Sequence, residues 1–155
     1  MSKKFISILL SVVLLLGFGI TSFAAGDIVP YMNESKVISQ KVYDQFYVSE
    51  LGYSVSVSYV IKGYYMVDRA SGAITNAYRC EVTGLKLETS PPVADFESFK
   101  IYLSSSSTSM SVSPSGSYAS FTATLGLRLD YYYGAISIIN YNLGTSTKTI
   151  KAYAA

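Results

Sequence analysis

From Ala119 to Leu129 apolar and polar residues take strict turns. Ala119, Phe121, Ala123, Leu125, Leu127 and Leu129 fall on one side, Ser120, Thr122, Thr124 and Arg128 on the other, and Asp130 continues the polar side. Successive side chains of an extended chain point to opposite faces, so a period of two describes a strand with one dry face and one wet face. The segment Tyr53–Ile61 repeats the pattern, with Val55, Val57 and Tyr59 set against Ser54, Ser56 and Ser58. A helix would scatter these apolar residues around its circumference and bury none of them well. Both segments therefore read as strands of a sheet with one dry face.

The remaining pattern extends this reading. Phe99, Ile101 and Leu103 alternate with Lys100, Tyr102 and Ser104. Tyr64–Val67 and Ala73–Tyr78 flank Asp68-Arg69-Ala70-Ser71-Gly72, whose opening Asp and closing Gly are turn chemistry, so a hairpin is predicted there. Gly84 interrupts the run from Cys80 to Glu88 and marks a bulge. Pro91-Pro92 breaks the chain between elements and is the best candidate for a connection that crosses between sheets. Ile136, Ile138 and Ile139 indicate one further strand, and Thr145–Tyr153 a last, edge-type strand with Lys148 and Lys151 on different faces. Lys36 to Tyr47 is ambiguous: Ile38, Val42 and Phe46 recur every four residues, and Asn33 or Ser35 could cap a helix. As a strand, the same segment would put Gln40 and Asp44 on the side of Ile38 and Val42, so a short helix is predicted. The fold class that follows is all-β, an antiparallel β-sandwich or barrel of about seven strands with one short N-terminal helix. No fixed repeat period is visible, which argues against a propeller or solenoid.

The N-terminus carries a different message. Lys3 and Lys4 precede an apolar run from Phe5 to Phe18, and small residues follow at Ser22, Ala24 and Ala25. Positive start, apolar middle and small-residue end are the order of a secretory signal peptide, with cleavage placed after Ala24. The run is short for a membrane crossing, which needs about 20 apolar residues. No later stretch reads as a span or anchor. The expected product is a secreted, extracellular domain, residues 25–155. Loss of Lys3 and Lys4 leaves 10 of the 12 basic residues against 10 acidic ones. A surface without net charge gives no footprint for nucleic acid.

Composition excludes much chemistry. The chain has no His and no Trp, and Cys80 is its only cysteine. Histidine triads, the usual zinc sites and an internal disulfide framework are therefore absent, and no cofactor or metal is implied. Cys80 alternates with Tyr78 and Val82 and reads as a small apolar core residue. A serine nucleophile would need lysine as its base, and no G-x-S-x-G elbow exists. Asp95 and Glu97 would share a face if their segment were a strand. Their side chains would then lie about 6.5–7 Å apart, a spacing that glycoside hydrolysis permits. Glu88, Asp95 and Glu97 are the residues a calcium site would draw on, but the D-x-D-x-D-G loop is missing.

Tyrosine stands out. All 15 tyrosines follow the predicted signal, whereas only four phenylalanines do. Tyr64-Tyr65 and Tyr131-Tyr132-Tyr133 form clusters in which alternation must turn at least one ring outward. An exposed tyrosine offers a large, stiff contact surface with a polar tip. Tyr64, Tyr65, Tyr131, Tyr132 and Tyr133 are accordingly the candidate binding residues. The expected function is a non-catalytic binding module whose partner is a cell-surface glycan or protein. Two alternatives have sequence features of their own. The hairpin from Ser104 to Leu125, with its turn near Pro114-Ser115-Gly116, could enter a membrane in a membrane-active or antimicrobial protein. The pair Asp95 and Glu97 would serve a hydrolase.

Overall fold

The two alternating segments become the two central strands of a sandwich. The structure is a computed structural model that describes residues 33–155; the predicted signal peptide and its cleavage site lie outside the described residues. Six strands follow in chain order: β1 (Asn33–Val48), β2 (Tyr53–Asp68), β3 (Ile74–Thr89), β4 (Glu97–Val112), β5 (Tyr118–Tyr133) and β6 (Ile136–Tyr153). They form two antiparallel meanders, β1-β2-β3 and β4-β5-β6. Five strands have 16 residues and β6 has 18. At 3.2–3.4 Å per residue each spans about 50 Å, some three times the usual strand.

Three features of the sequence reading change, each for a local reason. The segment predicted as a helix over 36–47 is β1, paired residue for residue with β2 from Asn33↔Asp68 to Val48↔Tyr53. Its polar inward positions are tolerable because β1 is an edge strand and Asp44 finds partners in the opposite sheet. Ser146 Oγ donates to Asp44 Oδ2 at 2.6 Å, and Lys148 Nζ lies 3.4 Å from the same oxygen. Described residues hold six strands rather than seven. Ile136–Ile139 and Thr145–Tyr153 belong to one strand, because Gly144, at φ 89°, absorbs a register shift without ending the ladder. Gly63, which separates Ile61 from Tyr64-Tyr65, likewise lies inside β2.

Other expectations hold. Asp68–Ala73 turns β2 into β3: Gly72 N donates to Asp68 O at 2.8 Å, and Ser71 Oγ to Asp68 Oδ2 at 2.6 Å. Gly84, at φ 65°, sits where the β2–β3 register slips between Ser58 and Val60. The Pro91-Pro92 segment is the link that carries the chain from the first sheet to the second.

The core lies between the inner faces of β2 and β5. Val55, Val57, Tyr59 and Ile61 face Ala119, Phe121, Ala123, Leu125, Leu127 and Leu129, and all ten are fully buried. Each large aliphatic side chain so buried contributes about 1.5–3 kcal/mol. The one buried polar tip among them is satisfied: Tyr59 Oη lies 2.8 Å from Ser146 Oγ. The sheets approach closely at Gly63, where an added Cβ would lie 2.4 Å from the Phe121 ring. The ring occupies the space that any side chain at position 63 would need.

Gly63→Ala should therefore lower stability by about 1–3 kcal/mol through overpacking. Urea unfolding should show a reduced midpoint, and Phe121→Leu in the same chain should restore part of the loss. An alanine variant as stable as the wild type would contradict this packing.

Candidate functional site on the second sheet

The outer face of β4-β5-β6 is a polar surface whose layout is set by strand register. Going along β5, Arg128 lies between Tyr102 of β4 and Asn142 of β6. Asp130 lies between Lys100 and Asn140, and Tyr132 between Ser98 and Ser137. These three rungs bring together residues up to 44 positions apart (Ser98 to Asn142). Arg128 grips Asp130 with two hydrogen bonds, Nε to Oδ1 at 2.7 Å and Nη2 to Oδ2 at 3.0 Å. A bidentate guanidinium–carboxylate pair has fixed geometry as well as charge complementarity. It also accounts for the burial of the Asp130 carboxylate on a strand face turned to solvent.

The two tyrosines complete the arrangement. Tyr102 Oη and Tyr132 Oη lie 3.1 Å apart. The Arg128 guanidinium sits 5.6 Å from the centre of the Tyr102 ring, and Lys100 Nζ 4.8 Å from that of Tyr132. Both are cation–π distances. The hydrogen bond with Tyr102 and partial burial hold the Tyr132 hydroxyl above its ordinary pKa, so it stays protonated. The Asp130 hydrogen bonds likewise favour the protonated form of the Arg128 guanidinium. The patch is thus a rigid set of ring faces, hydroxyls, amides and one internally paired charge couple.

A bulge creates this register. From Val112↔Ala119 down to Ser105↔Gly126 the β4–β5 pairing runs without a slip; it then jumps to Leu103↔Leu127. Ser104 is the extra residue. Were Ser104 paired in the ladder instead of bulged out of it, Arg128 would face Leu103 instead of Tyr102. Gly126 makes room for the bulge, since a Cβ there would lie 2.4 Å from Ser105 Oγ and 2.7 Å from Ser104 Oγ. Above the bulge the same outer face continues as hydroxyls. Thr122 and Thr149 bond across strands at 2.8 Å, and Thr124 and Thr147 at 3.1 Å.

The tyrosines singled out by the sequence do not form one site. Tyr132 belongs to the patch just described. Tyr131 turns inward against Phe99, with ring centres 5.3 Å apart, and the influence of Glu97 holds its hydroxyl above the ordinary pKa. Tyr133 ends β5 and is 58% exposed. Tyr65 turns inward toward Phe121, ring centres 6.3 Å apart. Tyr64 faces out from the other sheet, donating to Glu81 Oε2 at 2.9 Å with Arg79 stacked 5.3 Å from its ring centre. Lys100, Tyr102, Arg128 and Asp130 were visible in the sequence as the wet sides of two alternating strands, but nothing local ties the first pair to the second.

The acidic residues fall apart in the same way. Asp95 lies in the turn before β4, whereas Glu97 starts the strand and accepts from Ala94 N at 3.0 Å. The two do not share a strand face. Between them Phe96 takes φ 72° and is 80% exposed. Glu88 is on β3, bound by Lys41 Nζ at 2.8 Å and by Ser58 Oγ at 2.5 Å. The predicted Ser104–Leu125 hairpin does form, with a turn closed by Gly116 N to Ser113 O at 2.9 Å. Its β5 arm spends its apolar side in the sandwich core. No family model, curated protein or solved structure matches the chain.

Glu88 yields a pH prediction. The hydrogen bonds from Lys41 and Ser58 hold its carboxyl at about 2 instead of the ordinary 4.5. A carboxyl with a lowered folded pKa stabilises the fold above the unfolded pKa and loses that contribution as pH falls through the folded value. The Tm difference between wild type and Glu88→Gln should be full at neutral pH and should close between pH 4.5 and 2. A difference that stays constant over that range would contradict the arrangement.

Proposed function

We propose that the protein is a secreted, non-catalytic binding module that recognises a glycan at or near the cell surface through the outer face of β4-β5-β6. The carrying observation is the Tyr102–Tyr132 hydroxyl pair, framed by Lys100 and the Arg128–Asp130 couple on the outer face of the sheet. Its chemistry suits a sugar. The C–H face of a pyranose ring can lie on a tyrosine ring, while sugar hydroxyls exchange hydrogen bonds with phenol, amide and guanidinium groups. Orientation costs little, because the rings and the ion pair are already held in place. A sheet face rather than a deep pocket suits an extended polymer more than a small molecule. Export is supported by the signal-like order of residues 1–24.

The test is co-sedimentation with insoluble cell-wall polysaccharide and, in parallel, with liposomes. Pelleting with polysaccharide is expected. Tyr102→Ala and Tyr132→Ala should each weaken it about tenfold, a loss of the size typical of an aromatic anchor. Tyr64→Ala, on the opposite sheet, should leave it unchanged, and circular dichroism should show all three variants folded. Retained binding in both Tyr102→Ala and Tyr132→Ala would move the site elsewhere. Pelleting with liposomes alone would favour a membrane-active protein instead.

A further inference from the structure

Four strands of this sandwich are edges, and three of them are blunted in recognisable ways. β1 carries Lys36 and Lys41. β3 carries Arg79 and Lys86 and slips register four times against β2. β6 carries Lys148 and Lys151 and slips twice against β5. Charges and bulges are the usual means of keeping an edge from pairing with another chain. The fourth edge differs. Beyond its bulge, β4 runs from Ser105 to Val112 with no charge, no proline and no register shift. Eight residues extend about 27 Å, long enough for a complete strand pairing.

Among the described residues this stretch also has no second ladder partner. β4 hydrogen-bonds only to β5 within its sheet. Every residue from Tyr102 to Ser111 is exposed, including Ser106, Thr108 and Met110 on the inward side. β3 of the other sheet runs alongside but is not hydrogen-bonded to β4, and a cleft of about 370 Å³ lies between Cys80–Thr83 of β3 and Leu103, Ser106 and Thr108 of β4.

We propose that this edge pairs with the same edge of a second copy, antiparallel about a two-fold axis, to give one continuous six-stranded sheet. Self-complementarity selects the occupant. Side chains that meet across an antiparallel pair lie on the same face. Around a two-fold, every allowed register therefore sets outward Ser105, Ser107, Ser109 and Ser111 against one another. The inward side meets with Ser, Thr, Met and Val. No like charges oppose, whereas the same operation on β1, β3 or β6 brings lysines or arginines to the seam. Serine opposite serine is a hydrogen-bonding cross-strand pair, and an isologous contact closes at two copies. The pairing is independent of the glycan proposal. Where both hold, it places two Tyr102–Tyr132 patches on one surface, so that a polymer can engage both.

Sedimentation of the purified protein over a range of concentrations tests this. The wild type should be a dimer in equilibrium with monomer. Thr108→Lys with Met110→Lys should raise the dissociation constant by about tenfold or more by putting cations at the seam. Cysteine placed singly at Ser107, Thr108 or Ser109 in a Cys80→Ser background should give a disulfide-linked dimer at the position on the two-fold. That readout stands even if the lysine variant fails to fold. A wild type that stays monomeric at high concentration would overturn the proposal. So would a folded lysine variant that dimerises as well as the wild type.

Discussion

β2 and β5 are the middle strands of their sheets, and water is excluded wherever their inner faces meet. Ten side chains from Val55 to Leu129 are fully buried there, and the sheets come close enough at Gly63 for the Phe121 ring to lie directly on the backbone. Hydrophobic burial scales with the apolar area removed from water, so this contact supplies most of the force that holds the sheets together. β1, β3, β4 and β6 are attached to it by hydrogen-bonded ladders and add partly buried side chains at its margins. Their outer faces are free of any duty to the core, and the polar surface of the second sheet can be specialised without loss of stability.

Polar groups that do enter the interior are tied across the sandwich. Tyr59, Ser146, Asp44 and Lys148 join β2 and β1 of one sheet to β6 of the other. Burial works to raise the Asp44 pKa, but hydrogen bonds from Ser146 Oγ and Gln45 N and the nearby Lys148 charge outweigh it and leave the carboxyl below its ordinary value. A satisfied polar network is directional where apolar packing is not, so it fixes which residue of β1 lies over which residue of β6. The ends are fastened by backbone bonds: Ile74 N to Gly116 O at 2.8 Å, and Ala154 N to Ser117 O at 2.9 Å.

The candidate glycan face depends on one inserted residue. Ser104 flips the parity of β4, so that Lys100 and Tyr102 face outward below it and Ser105, Ser107 and Ser109 face outward above it. Gly126 permits the insertion by having no side chain. The bulge also divides β4 into two functional stretches. Its first half carries Lys100 and Tyr102 to the patch, and its second half is the uncharged edge. Both proposals therefore rest on a backbone irregularity that no single residue type announces.

The sequence by itself determined that this chain is all-β, because a period of two over Tyr53–Ile61 and Ala119–Leu129 can bury its apolar side only in a sheet. It also placed the hairpin turn at Asp68–Gly72, the slip at Gly84 and the crossing at Pro91-Pro92, since each depends on local backbone chemistry. Tertiary structure decided what local pattern could not. Lys36–Tyr47 became a strand because Asp44 found Ser146, 102 residues away, and no local signal records that partner. Gly144 and Gly63 continued strands they seemed to break, because one absorbs a register shift and the other receives an aromatic ring. Tyr131 and Tyr132 parted to opposite faces, as alternation requires. Alternation along β5 already puts Tyr132 on the side of Arg128; that Tyr102 lies opposite them was settled by a strand register that a bulge 28 residues before Tyr132 had set.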